Sequence, residues 1–127
     1  MHVESIVSAS IDRVMHVITS VQAYPEFLPG CQSVLIIDQS RQSVVAKMLA
    51  LGHFFTTTHL HWTSHQVFLK NDWVRGQWLV STQTYGTSIR LDLEMAPHLP
   101  WIIRMLLSQY APIMQQAFEQ RLVQCKP

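Results

Sequence analysis

The stretch Thr87-Ser88-Ile89-Arg90-Leu91-Asp92-Leu93-Glu94-Met95, and the change of period that follows it, decides the architecture. Ile89, Leu91, Leu93 and Met95 alternate with Arg90, Asp92 and Glu94, the pattern of a strand with one dry and one wet face. Tyr85-Gly86 supplies the turn before it. From about Pro100 the apolar residues recur at helical spacing instead. Ile103, Leu107, Tyr110, Met114, Ala117 and Phe118 predict the broad apolar face of a helix reaching Gln124. Gln109, Gln116, Glu119 and Gln120 fall mostly on its other side. Pro112 lies inside this helix and predicts a kink, because proline lacks an N–H and crowds the preceding turn.

Upstream of Thr87 the chain reads as further strands. Ser33–Asp38 and Gln42–Leu51 are separated by a hairpin-length connection, and Phe54–Trp62, Gln66–Lys70 and Val74–Thr82 follow. In Gln42–Leu51, Lys47 belongs in water, so Val44, Ala46, Met48 and Ala50 face the core. His2–Ser8 reads as a first short strand. Ser10 caps a helix over Ile11–Thr19, with Asp12 in the first turn. Tyr24-Pro25-Glu26-Phe27-Leu28 is a second, very short helix with proline at its permissive start, and Pro29-Gly30 ends it. Strand, two helices, about six strands and a long helix make an α+β architecture: a curved antiparallel sheet laid around one helix. A sheet gripping a helix leaves room for an apolar ligand between them.

Composition narrows the function. The 127 residues suit one domain, taken here as residues 1–127. Lys and Arg total 9 against 8 for Asp and Glu, a net charge of +1, which argues against DNA as a partner. Charged residues make up 13% of the chain, about half the usual ~25%. So uncharged a chain is suited to lying against something apolar. The first residues carry no secretory signal pattern. Leu99–Met114, the most apolar run, is broken by Arg104, Ser108 and Gln109 and falls short of the ~20 residues a spanning helix needs. Cys31 and Cys125 leave a single disulfide open as the alternative, and are read as two free thiols of a reducing compartment. The expected location is the cytoplasm, with peripheral contact at the inner membrane.

Several segments resemble the coenzyme-Q-binding branch of the START-like polyketide cyclase/dehydrase superfamily, the helix-grip proteins. Tyr24-Pro25-Glu26-Phe27-Leu28-Pro29-Gly30-Cys31 is the most specific of them. Ala46-Lys47-Met48 leading into Phe55-Thr56-Thr57, Gly76-Gln77-Trp78, and Gln116-Ala117-Phe118-Glu119-Gln120-Arg121 follow in the family's order. The resemblance implies a helix-grip fold with a deep apolar cavity and non-enzymatic binding of ubiquinone or another polyprenyl lipid in support of respiration. It also reaches bacterial ribosome-association toxins, so a ribosome-directed role is the alternative, and a polyketide cyclase or dehydratase the third. The family's Gly-Pro-Phe segment is missing, and only Asn71-Asp72-Trp73-Val74-Arg75 joins the fifth and sixth strands.

On this reading the cavity wall comes from Val44, Ala46, Met48, Phe55, Trp78, Ile89, Leu91, Leu93, Leu107, Met114 and Phe118. Tyr24, Thr57 and Tyr110 are the polar groups expected to orient a ligand head. Phe27 and Leu28 either stand at the cavity mouth or simply anchor a tight helix-turn. Methionines at 48, 95, 105 and 114 suit an adaptable wall or serve as gap fillers. His59 and His61 share one strand face, with His53 and His65 nearby. Zinc would need a further ligand, and Cys31 and Asp72 are remote candidates, so a water-facing strand is the reading and no metal or cofactor is expected. No nucleophile–base pair or inward-facing carboxylate pair is visible, so no catalytic residues are assigned. Trp73 and Trp101 fall at loop or helix-start positions, where aromatics either seat at a lipid interface or tuck under a loop.

Overall fold

The computed structural model describes residues 2–50 and 54–124. The elements are β1 His2–Val7, α1 Ile11–Thr19, a 3-10 turn at Val21–Ala23, α2 Tyr24–Phe27, β2 Ser33–Gln39, β3 Ser43–Ala50, β4 Phe54–Trp62, β5 Gln66–Lys70, β6 Val74–Gln83, β7 Gly86–Met95 and α3 Trp101–Gln124. They match the expected order. Leu51, His53 and Cys125 lie outside the described residues.

The sheet has seven antiparallel strands in the order β1-β7-β6-β5-β4-β3-β2. Strands β2 to β7 form a meander, and β1 joins the free side of β7. The sheet is curved, and α3 lies against its concave face in a helix-grip arrangement. Cross-strand pairing sets which side chains share that face. One inner row runs Val3, Leu91, Trp78, Val67 and Trp62. The next runs Leu93, Gly76, Leu69, Leu60 and Val44. Glycine is required at position 76, because a Cβ there would stand 2.1 Å from the Asp92 carbonyl oxygen.

Local chemistry supports each helix. Ser10 Oγ accepts from the Arg13 amide at 3.2 Å and caps α1, and Asp12 lies in its first turn. Val14, Val17 and Ile18 form the buried stripe of that helix. Gly30 takes a φ of 82°, the left-handed region that lets the chain turn away from α2 into β2. α3 continues through Pro112 as one helix. Its second half enters the core through Ala117, Phe118 and Leu122. Three polar links fix that half: Arg13 donates to the Leu122 carbonyl at 3.2 Å, Gln115 Nε2 donates to Ser5 Oγ at 2.8 Å, and Arg121 lies 3.7 Å from Glu26.

The convex face carries the charges. His2 lies 2.8 Å from Asp92, Arg90 3.1 Å from Asp92 and Arg75 3.4 Å from Glu94. Among the described residues, no helix is long and apolar enough to cross a membrane.

Candidate functional site

The concave face and α3 part company at one end, and the gap is a cavity of about 130 Å³. Its floor is the inner face of β3 to β7: Met48, Thr56, Thr58, Leu60, Leu69, Val74, Trp78 and Leu93. Its roof is α3, through Leu107, Tyr110, Ala111, Met114 and Phe118. Tyr24, Leu28 and Cys31 close one side, and Asn71 and Trp73 contribute from the β5–β6 connection. Among the described residues, no Asp, Glu, Lys, Arg or His is part of this wall.

The β5–β6 connection has a definite role here. Asn71 Oδ1 accepts from the amides of Trp73 and Val74, both at 2.9 Å, and the Asn71 amide donates to the Val74 carbonyl at 2.9 Å. This tight Asx-type turn places Asn71, Trp73 and Val74 in the cavity wall. Asn71 Nδ2 also donates to Thr58 Oγ1 at 3.3 Å, tying the turn to β4.

Aromatic packing seals the inner end. The Phe118 ring lies edge-on to Tyr24, Phe27 and Trp78, with centroids 5.5, 5.3 and 5.1 Å away. The Tyr24 hydroxyl donates to the Ile18 carbonyl, so its proton is spent inside the protein. Thr56 is 4% exposed, and its Oγ1 has no hydrogen-bond partner among the described residues. Burial pushes the Tyr24 hydroxyl pKa well up and that of Tyr110 up to about 12. Burial also raises the pKa of the Cys31 thiol. Near neutral pH the tyrosines and the cysteine are therefore all uncharged.

Of the residues expected to form the site, nine meet at the cavity: Tyr24, Leu28, Met48, Trp78, Leu93, Leu107, Tyr110, Met114 and Phe118. Val44, Ala46, Ile89 and Leu91 are fully buried core beside it. Phe27 packs on Tyr24 and Phe118 but borders a separate hollow with Arg13 and His16. Phe55 and Thr57 are corrected by the structure: they stand on the other face of β4. The pairings Met48–Thr56, Ala46–Thr58 and Val44–Leu60 put Thr56, Thr58 and Leu60 inside. Phe55 is 64% exposed and lies under Lys47 Nζ, 5.1 Å from the ring centroid. His59 and His61 share that outer face, with His61 stacked on Phe68. Among the described residues, no three His, Cys, Asp or Glu side chains stand close enough to hold a metal ion.

The family described as polyketide cyclase/dehydrase and lipid transport matches residues 7–119, and the chain belongs to it. Two solved structures share its fold. The STAR-related lipid transfer protein of Xanthomonas axonopodis superimposes with a TM-score of 0.81 at 12% identity, over 95% of this chain and 84% of that one. The Zhui aromatase/cyclase of Streptomyces sp. R1128 does so with 0.80 at 14% identity, over 96% and 93%. In sequence, the chain is similar to the ribosome association toxin RatA of Vibrio cholerae, 34% identical over 59 residues. That match spans 43% of this chain and 41% of the toxin.

Proposed function

We propose that this chain is a non-enzymatic binder of a neutral hydrophobic ligand, a ubiquinone or another polyprenyl lipid, and that it supports quinone function in respiration. The observation that carries this reading is the cavity wall, apolar over most of its area and, among the described residues, without a charged side chain. An ionised ligand would lose its hydration there with no counter-charge to replace it. A ring gains roughly 25 cal/mol for each Å² of apolar surface it takes out of water. Catalysis is disfavoured by the same wall, which among the described residues offers no histidine or carboxylate as a general base and a thiol held neutral by burial. The lipid-transfer relative supports the carrier reading, and the aromatase/cyclase relative shows that the fold also serves catalysis.

The exposed Trp101, Ile102 and Met105 at the start of α3 support peripheral membrane contact during loading. The test is native mass spectrometry of the protein purified from its own host, followed by organic extraction. A quinone or lipid at near one-to-one ratio is the expected result. An empty protein that also refuses added ubiquinone would overturn the proposal.

The similarity to RatA favours one second reading, action on ribosomal subunits through an outer surface. Arg75 and Arg90 on the convex face are each paired with an acid, which weakens a basic docking patch. Co-sedimentation with ribosomal subunits at low salt supports this reading, and its absence removes it.

A further inference from the structure

The cavity holds hydroxyl protons with nowhere to go. Thr56 Oγ1 is buried without a partner among the described residues. Thr58 Oγ1, two residues along the same inner face of β4, accepts from Asn71, which leaves its own proton to donate. Tyr110 faces them from α3, and its hydroxyl has no hydrogen bond among the described residues. Asn71 Oδ1 is engaged by two backbone amides, and the Tyr24 hydroxyl gives its proton to the Ile18 carbonyl. A buried polar group left unpaired is costly, and native structures keep few of them. All three hydroxyls keep a proton to give, and one acceptor oxygen can take protons from more than one of them, so an acceptor is the group that best completes the set.

The size of the space says which part of a ligand supplies it. About 130 Å³ is close to the roughly 150 Å³ of an apolar protein cavity that takes up benzene. One ring fits; a polyprenyl tail does not. We infer that the ligand enters ring first and that Thr56 donates a hydrogen bond to an uncharged carbonyl oxygen on that ring, as on a cyclic or aryl ketone or a quinone. This rests on the ligand-cavity reading above and adds to it the chemistry of the buried end and the residue that selects it.

The test uses two isosteric probes, acetophenone, which carries the carbonyl, and α-methylstyrene, which carries a methylene in its place. Each is titrated into wild type, Thr56→Val and Thr56→Ser, following the methyl resonances of Met48 and Met114. The expected result is that Thr56→Val weakens acetophenone by about tenfold, the value of one hydrogen bond at the upper end of its usual range. Binding of α-methylstyrene stays the same within about twofold, and Thr56→Ser keeps the wild-type preference. Thr56→Ala replaces the valine variant if that one fails to fold. If Thr56→Val shifts both probes equally or neither, Thr56 makes no such contact, and the cavity reading survives without it. If neither probe binds the wild type and the methionine resonances stay still, the cavity reading falls as well.

Discussion

Phe118 and Trp101 are both large apolar residues of α3, yet the first is 2% exposed and the second 73%. The difference separates two halves of one helix. From Met114 onward, α3 buries Gln115, Ala117, Phe118 and Leu122 and is linked to α1 and α2 through Arg13 and Arg121. Before that point its inner side faces the cavity with Leu107, Tyr110 and Ala111, while Ile102, Met105 and Ile113 face outward. Apolar side chains therefore surround the first half, and only the second half is conventionally amphipathic. The second half stabilises the fold. The first half gives up packing energy, and what it gains is a space on one side and an apolar surface on the other.

This division predicts unequal costs. Phe118→Ala removes the ring that Tyr24, Phe27 and Trp78 surround, and is expected to cost about 3–5 kcal/mol in denaturant unfolding. A cost under about 1 kcal/mol would mean that the second half is not the anchor. A matched pair of enlargements sharpens the point. Ala117→Leu pushes extra carbons into packed core and should cost about 1–3 kcal/mol. Ala111→Leu pushes the same carbons into the cavity and should cost less than about 1 kcal/mol while reducing ligand uptake. Equal costs at both positions would show that the cavity is closed by repacking in solution.

How far the sequence could have foretold this site depends on the element. Strand order and the long helix were legible because alternation at Ile89–Met95 and helical spacing after Pro100 leave little ambiguity. The face of β4 was less so. Phe55-Thr56-Thr57-Thr58 is nearly uniform in polarity, so periodicity does not choose between its faces. The cue lay four residues on. His59 and His61 belong in water, Phe55 and Thr57 share their parity, and that parity leaves Thr56, Thr58 and Leu60 to the inside. Asn71 and Trp73 were not legible as cavity wall. Their placement depends on the Asn71 side chain closing a turn, and turn geometry is set by pairing between β5 and β6. Gln115 was not legible either. It sits in a helix of many glutamines, and only the docking of α3 against β1 brings its amide to within 2.8 Å of Ser5 Oγ.

The smallest effect on stability is expected where the apolar residue is most conspicuous. Trp101 opens α3 and is not part of the cavity wall, so Trp101→Ser should change unfolding free energy by no more than about 0.5 kcal/mol. Arg104 already holds this end of the helix, donating to the Pro97 carbonyl at 3.3 Å, and the substitution leaves that contact intact. The same substitution should nevertheless lower co-sedimentation with vesicles of phosphatidylethanolamine and phosphatidylglycerol several-fold, because an indole at a helix start is suited to the interfacial layer. Stability unchanged with vesicle binding reduced would assign the first half of α3 to surface contact. Vesicle binding unchanged would confine its role to roofing the cavity, and a large loss of stability would mean that Trp101 packs in solution as Phe118 does.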